Sequence, residues 1–157
     1  MIANIIGITG TLCGTIGIFF GFYFFTSNDA VLALKTVAVT TVGIVGILAF
    51  VRHVIFHKAD AKRMGWETDR PDWMFEVGFA NLAFGIAGFV AVFPDRGMVA
   101  QAVVILGYAL YLLQASILHG YRFLTSENKS IGRLVRFSLS TLLYAIMMSY
   151  FAFQVLL

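Results

Sequence analysis

The sequence predicts an all-α membrane protein, a bundle of about five transmembrane helices. The 157-residue chain is 60% hydrophobic and 12% charged, whereas a soluble domain would carry about twice that charged fraction. The charged residues also cluster, which leaves continuous apolar runs of roughly 18 residues or more, the length that crosses a bilayer. Lipid admits only helices or closed barrels. Because the runs are continuously apolar, helices are expected.

Five such runs fill most of the chain, which is interpreted as one domain over residues 1–157. They are residues 5–25, 36–56, 74–93, 98–118 and 135–157. The first run has the position of a secretory signal, but it is too long and no basic segment precedes it, so a retained helix is expected. The single Cys13 lies inside that run and excludes an intramolecular disulfide.

The basic residues predict the orientation in the membrane. With five spans, one side holds Arg52, Lys58, Lys62, Arg63, Arg70, Arg122, Lys129, Arg133 and Arg136, and the other holds Lys35 and Arg96. The positive-inside rule then puts the N-terminus in the cytoplasm, in a multi-pass protein of the inner membrane. Topology and anionic headgroups explain the net charge of +3, so no nucleic-acid partner is predicted.

The first span carries a stripe of glycines that predicts close helix packing. The stripe consists of Gly7, Gly10, Gly14, Gly17 and Gly21, spaced 3, 4, 3 and 4. That spacing places all five on one side of a helix, and small residues let helix backbones approach closely in lipid. The partner is either another helix of the chain, a second copy, or a subunit of a larger membrane complex.

The ends of the second and third spans carry the usual helix-boundary residues. Asn28 and Asp29 precede the second span as candidate N-caps. After that span, the polar segment "KADAKRMG" is expected to extend it as an amphipathic cytoplasmic helix that Gly65 ends. Pro71 suits the start of the third span, where its missing N–H group costs little.

Two polar side chains at the start of the third span indicate a candidate ligand site. Glu76 and Asn81 lie on a broad face of small residues, and Tyr111 and Gln114 of the fourth span are expected opposite them. Buried polar groups in membranes face partners or water-filled cavities, so these four are the predicted ligand-binding residues. The alternatives are a helix-start carboxylate for Glu76 and a structural interhelical hydrogen bond for Asn81.

Three histidines fall on the predicted cytoplasmic side and suggest a metal or haem site. His53 and His57 share a helix face, and His119 ends the fourth span at a similar depth. Imidazoles with a nearby carboxylate suffice for Zn, Fe or Cu, but the interfacial position also suits ordinary side-chain contacts with headgroups. No nucleophile–base pair or nucleotide motif is visible, so no catalytic residue is assigned and catalysis is not indicated.

The stretch "GWETDRPDWMFEVGFANLAFG" resembles a family of small, uncharacterised bacterial and archaeal integral membrane proteins. In that family a loop with Trp and Pro leads into a span that begins with a Glu-Val-Gly-like motif and an Asn. The matching residues here are Trp66, Pro71, Glu76, Val77, Gly78 and Asn81. The third span is more distantly similar to DoxX-like membrane proteins. The resemblance implies a small membrane protein and supplies no reaction.

Three functional hypotheses follow from these patterns. The first is a protein that binds or moves a small or lipophilic molecule in a polar cleft open to the cytoplasm. The second is a non-catalytic subunit of a membrane complex, docked through the glycines of the first span. The third is a metal- or haem-dependent membrane oxidoreductase that uses the three histidines.

Overall fold

The computed structural model describes residues 1–66, 69–125 and 131–157, and within these ranges the chain is helical and contains no strand. The helices are α1 (Ile2–Thr26), α2 (Ala30–Ile55), α3 (His57–Met64), α4 (Asp72–Val90), α5 (Gly97–Thr125) and α6 (Ile131–Leu156). All except α3 are long and apolar enough to cross a membrane. The prediction of an all-α bundle with about five candidate spans is confirmed. The assignment of the chain to one domain stays a prediction.

The predicted helix ends are confirmed in part. The Asp29 carboxylate accepts a hydrogen bond of 2.9 Å from the backbone N–H of Leu32 and so caps α2. Asn28 has a φ of 63°, a left-handed conformation that Asn tolerates better than most residues. Gly65, with a φ of 71°, ends α3 as expected. The continuous extension of the second span was wrong, because the backbone breaks at Phe56 and α3 is a separate helix.

Helix α2 is the centre of the bundle and packs against both α1 and α4, while α5 packs mainly against α6. The contact between α2 and α4 brings the two backbones together. A Cβ atom at Gly46 would lie 2.7 Å from the Asn81 carbonyl oxygen, and one at Gly85 would lie 3.0 Å from the Ile47 nitrogen. Such distances require glycine at both positions, so α4 is held close to α2.

The five glycines of α1 face α2 and α6 of the same chain. A Cβ at Gly14 would overlap the ring of Tyr144 on α6, and one at Gly17 would overlap Thr40 on α2. Side chains of α2 also lie next to the remaining three, Gly7, Gly10 and Gly21. The predicted packing surface therefore serves the chain itself. Gly10, Gly14, Gly17 and Gly21 are buried in these contacts, whereas Gly7 is partly exposed. Docking of a second copy or of a membrane-complex partner through these glycines stays a prediction.

Two helices contain wider, π-helical turns. In α2 these are Ala38–Ile44 and Val51–Ile55, and in α6 the stretch is Val135–Leu139. A π-helical turn holds an extra residue and changes the direction in which the following side chains point. The stretch Val51–Ile55 carries Arg52 and His53 at the end of α2, directly before the break that starts α3.

One end of the bundle carries most of the basic side chains of the described residues, and we call it the basic end. It is the end at which α1, α4 and α6 begin. Its members are Arg52, Lys58, Lys62, Arg63, Arg70, Arg122, Arg133 and Arg136. The opposite end of the described bundle carries Lys35 and Arg96. The basic residues that are dispersed along the sequence therefore form one strongly basic surface at this end of the bundle.

Candidate functional site

A buried ion cluster lies at the basic end, where α2 meets α3. At its centre is Asp60, whose side chain has no exposed surface. Arg63 places Nε at 2.9 Å and Nη2 at 2.8 Å from Asp60 Oδ1. Arg52 Nε lies 3.3 Å from the same oxygen, and His53 Nδ1 lies 2.7 Å from Oδ2. The cluster ties the short α3 to the end of α2.

The cluster carries more positive than negative charge. Arg52 Nη2 lies 3.3 Å from His53 Nε2, so this ring nitrogen accepts and the proton sits on Nδ1, which faces Asp60. The ring is then neutral, which leaves two guanidinium groups and one carboxylate. Burial alone would raise the pKa of Asp60, but His53, Arg52 and Arg63 outweigh it and hold that pKa below its usual value. One positive charge of the cluster remains uncompensated.

A second polar group, centred on Asn81, lies deeper between α4 and α5. The Tyr108 hydroxyl donates to Asn81 Oδ1 at 2.8 Å. Asn81 Nδ2 donates to the Tyr111 hydroxyl at 2.9 Å and to the Val77 carbonyl at 2.7 Å. The donors and the acceptor of the buried amide are therefore all engaged within the protein. Neutral hydrogen bonds of this kind join membrane helices.

A groove opens at the basic end between α3, α5 and the start of α6. The Trp66 ring stacks on His119 with centroids 4.8 Å apart, and the Arg122 guanidinium lies 5.7 Å from the Trp66 ring centre. Arg133 reaches the groove from α6. The cavity holds about 230 Å³ and is lined by Met64, Gly65, Trp66, His119, Arg122, Phe123, Thr125, Arg133, Leu134 and Phe137. It combines aromatic walls with two cationic groups.

The structure brings together two of the four predicted ligand-binding residues. Asn81 and Tyr111 are hydrogen-bonded to each other, whereas Glu76 and Gln114 are exposed on the outer surface of the bundle. The expectation that Glu76 and Asn81 share an inner face was wrong. Five residues of an α-helix turn through about 140°, so the two side chains point to different sides of α4.

Each predicted metal-ligating histidine has its own partner. His53 belongs to the ion cluster, and His57 Nδ1 lies 3.0 Å from the Val54 carbonyl with its ring edge-on to Phe75. His119 stacks on Trp66. Among the residues that the structure describes, no three His, Cys, Asp or Glu side chains come together in a way that could hold a metal ion. The hypothesis of a shared site for the three histidines gains no geometric support.

Sequence reasoning missed the central residue of the cluster and the cations of the groove. Asp60 was assigned only to an amphipathic helix, although it stands in "HKADAKR", where its acidic side chain is surrounded by bases. A single carboxylate among basic residues is the signal from which an ion cluster could have been predicted. Arg122 and Arg133 were counted for topology alone, and nothing in their spacing indicated that α5 and α6 would bring them to one groove.

A family of unknown function, DUF6790, matches residues 5–155 of the chain. The match covers nearly the whole chain and agrees with the resemblance to uncharacterised proteins that the third span suggested. No curated protein and no solved structure matches. The more distant likeness to DoxX-like proteins stays a prediction.

Proposed function

We propose that this chain, which belongs to the DUF6790 family of unknown function, binds the anionic headgroup of an amphiphilic molecule in the groove beside Trp66. The observation that carries the proposal is the composition of that groove. Two guanidinium groups and a His–Trp stack line it, and none of its lining residues in the described ranges is acidic. The protein would act as a binding or carrier protein for the amphiphile.

The cations of the groove are available to a ligand. Neither Arg122 nor Arg133 forms an ion pair with a carboxylate in the part of the chain that the structure describes. Guanidinium groups bind phosphate and carboxylate through paired hydrogen bonds. Partial exclusion of water by Trp66 and Phe137 strengthens such contacts, because charge interactions gain strength as the surroundings become less polar.

The size of the groove indicates which part of the ligand it takes. A pocket that encloses a whole drug-sized molecule usually has about 300–1,000 Å³, and this groove has about 230 Å³. Only a headgroup therefore fits inside, and the rest of the molecule stays outside. The exposed Leu124, next to the groove-lining Phe123, offers an apolar surface for an acyl chain.

The predicted topology determines the side from which the ligand comes. The groove lies at the basic end, which the positive-inside rule assigns to the cytoplasm. We therefore place the protein in the cell membrane with the groove facing the cytoplasmic leaflet. A negative headgroup in that leaflet would meet the basic end first, because anionic lipids and basic side chains attract each other over about a Debye length.

This proposal keeps the functional class that the sequence suggested and moves the site. The polar cleft is predicted at Glu76, Asn81, Tyr111 and Gln114, but Asn81 and Tyr111 form hydrogen bonds within the protein. A ligand there would have to break these bonds first. The Trp66 groove needs no such rearrangement.

The test uses the fluorescence of Trp66. In a Trp73→Phe background, Trp66 is the sole remaining tryptophan, and the purified protein is titrated with dodecyl phosphate or with neutral dodecyl maltoside. We expect a saturable change with the phosphate only. Arg122→Gln combined with Arg133→Gln should weaken binding about a hundredfold or more, because each of the two charge-assisted contacts contributes about 1.5–3 kcal/mol.

The matched control is Arg136→Gln, which removes an exposed cation of the same helix outside the groove. It should bind dodecyl phosphate as the parent does. Equal responses to the two detergents, or an unchanged affinity in the double variant, would contradict the proposal.

A further inference from the structure

Away from the groove, the ion cluster points two free guanidinium ends at one spot on α1. The position that a Cβ would take at Gly7 lies 3.4 Å from Arg52 Nη1 and 4.0 Å from Arg63 Nη1. Both ends therefore converge on the surface of α1 at a residue that has no side chain. We call this space the Gly7 notch.

The other guanidinium nitrogens already have partners. Arg63 uses Nε and Nη2 for Asp60. Arg52 Nε lies within ion-pair distance of Asp60 without a hydrogen bond, and Nη2 faces His53. The two Nη1 atoms have no partner among the described residues, and neither belongs to the fully buried unpaired atoms. They are cationic donors that an incoming acceptor can reach.

The charge of the cluster favours an anion at this spot. Asp60 compensates one of the two arginines, while the Arg63 side chain is only 10% exposed and that of Arg52 only 21%. A cation so far removed from water is costly unless a negative group neutralises it. A phosphate group has several acceptor oxygens and can accept from both Nη1 atoms at once.

We propose that the Gly7 notch is an anion site that binds a phosphate group between Arg52 and Arg63. The phosphate comes either from a lipid headgroup of the facing leaflet or from free inorganic phosphate. The site lies on α1 and is separate from the Trp66 groove, because neither Gly7 nor Arg52 nor Arg63 lines that groove. The anion site at Gly7 is therefore independent of the proposed function, and either can be correct without the other.

Gly7 itself offers a way to test the site without disturbing the arginines. An Ala side chain fits, since its Cβ would make ordinary contacts of 3.4 and 4.0 Å, and it adds neither a charge nor a hydrogen-bonding group. An Asp side chain would place a carboxylate between the two Nη1 atoms and replace the bound anion. Asn has nearly the same shape and fills the notch without a charge.

The experiment compares thermal unfolding of the full chain in lipid nanodiscs. Every variant is built on an Arg122→Gln/Arg133→Gln background, which removes the cations of the Trp66 groove and serves as the parent. The discs contain phosphatidylcholine alone or phosphatidylcholine with phosphatidylglycerol, and a third sample adds inorganic phosphate to the phosphatidylcholine discs. We expect the parent and Gly7→Ala to gain roughly 2–4 °C from one of the phosphate sources. Gly7→Asp should already unfold at the higher temperature in phosphatidylcholine and respond to neither source.

Gly7→Asn should lose the response without gaining stability, which separates blocking of the notch from neutralisation of its charge. Asn4→Asp is the matched charge control, because Asn4 is exposed one turn earlier on α1 and the variant should respond like the parent. A shift with phosphatidylglycerol alone identifies a lipid headgroup, and a shift with inorganic phosphate identifies the free anion. Absence of any shift in the parent, or an undiminished shift in both Gly7→Asp and Gly7→Asn, would overturn the proposal.

Discussion

The Asn81 group and the Asp60 cluster are both buried, yet they differ in charge and in completeness. The Asn81 group is neutral, and its amide has a partner for each of its functions. The Asp60 cluster is ionic, and two of its guanidinium ends remain unpaired within the described structure. Depth explains the difference in charge, because ions are tolerated near the membrane boundary and are expensive at its centre.

This difference helps to distinguish polar groups that stabilise the fold from polar groups that can bind a ligand. The Asn81 amide has no free donor or acceptor for a ligand, so its role is to hold α4 against α5. A cluster with surplus cationic donors retains binding capacity. A ligand is therefore expected at the basic end rather than at the polar residues inside the bundle.

Removal of the central carboxylate should have the largest effect on stability. Asp60→Asn leaves Arg52 and Arg63 without their counter-charge, and loss of one partner of a buried ion pair typically costs about 3–5 kcal/mol. The free energy of unfolding in neutral detergent, from titration with dodecyl sulfate, measures this loss. Asp72→Asn, at an exposed carboxylate, is the control. Equal stability of the two variants would refute the central role of Asp60.

Acid should reproduce part of that loss. The native pKa of Asp60 lies below its usual value, so the ionised carboxylate stabilises the fold above the unfolded-state pKa of about 4. This contribution is lost as the pH falls through the native pKa. The difference in melting temperature between the parent and Asp60→Asn should therefore be constant from pH 7 to 5 and shrink below about pH 4. A constant difference down to pH 2 would count against the ionised state.

Replacement of the central amide should have an intermediate effect. Asn81→Leu leaves the buried Tyr108 hydroxyl without its acceptor, and a loss of about 1–2 kcal/mol is expected. Dodecyl sulfate unfolding measures this loss, with Ala83→Leu at an exposed position of α4 as the control. A loss as large as that of Asp60→Asn would show that neutral and ionic groups are equally costly to break.

The smallest effect is expected for a substitution of Tyr111, at the edge of the Asn81 group. Tyr111→Phe removes one hydroxyl, while Asn81 keeps its bonds to Tyr108 and Val77. A loss of about 0.6 kcal/mol is typical of one interhelical hydrogen bond in a membrane protein. The exposed Tyr121→Phe should leave the unfolding free energy unchanged. If Tyr111→Phe destabilised more than Asn81→Leu, the amide would not be the centre of the group.

The sequence was sufficient for the architecture because hydrophobicity acts locally. Each candidate span is a continuous apolar run, and Asp29 and Gly65 mark helix ends through contacts within a few residues. The glycines of α1 also predicted a packing surface. Which helices would cover that surface was not predictable, since it depends on how Thr40 and Tyr144 come together from distant parts of the chain.

The candidate site was harder to predict because it depends on a break and on long-range packing. His53 reaches Asp60 only because the backbone turns at Phe56, and no Gly or Pro marks that turn. The groove likewise requires Trp66 and His119, which are far apart in the sequence, to stack. Asn81 and Tyr111 could be paired from the sequence, since each is a polar side chain on a membrane helix that must find a partner.

Because of the π-helical turn at the end of α2, the ion cluster depends on the number of residues in this segment. A single-residue deletion within Val51–Ile55 could be absorbed locally by closing an ordinary α-helical turn, so α2 would stay a continuous membrane helix. The same change would rotate Arg52 and His53 relative to α3 and separate them from Asp60. Sequences that differ by one residue in this segment would thus share the bundle and lack the cluster, a distinction that a comparison of residue types alone would overlook.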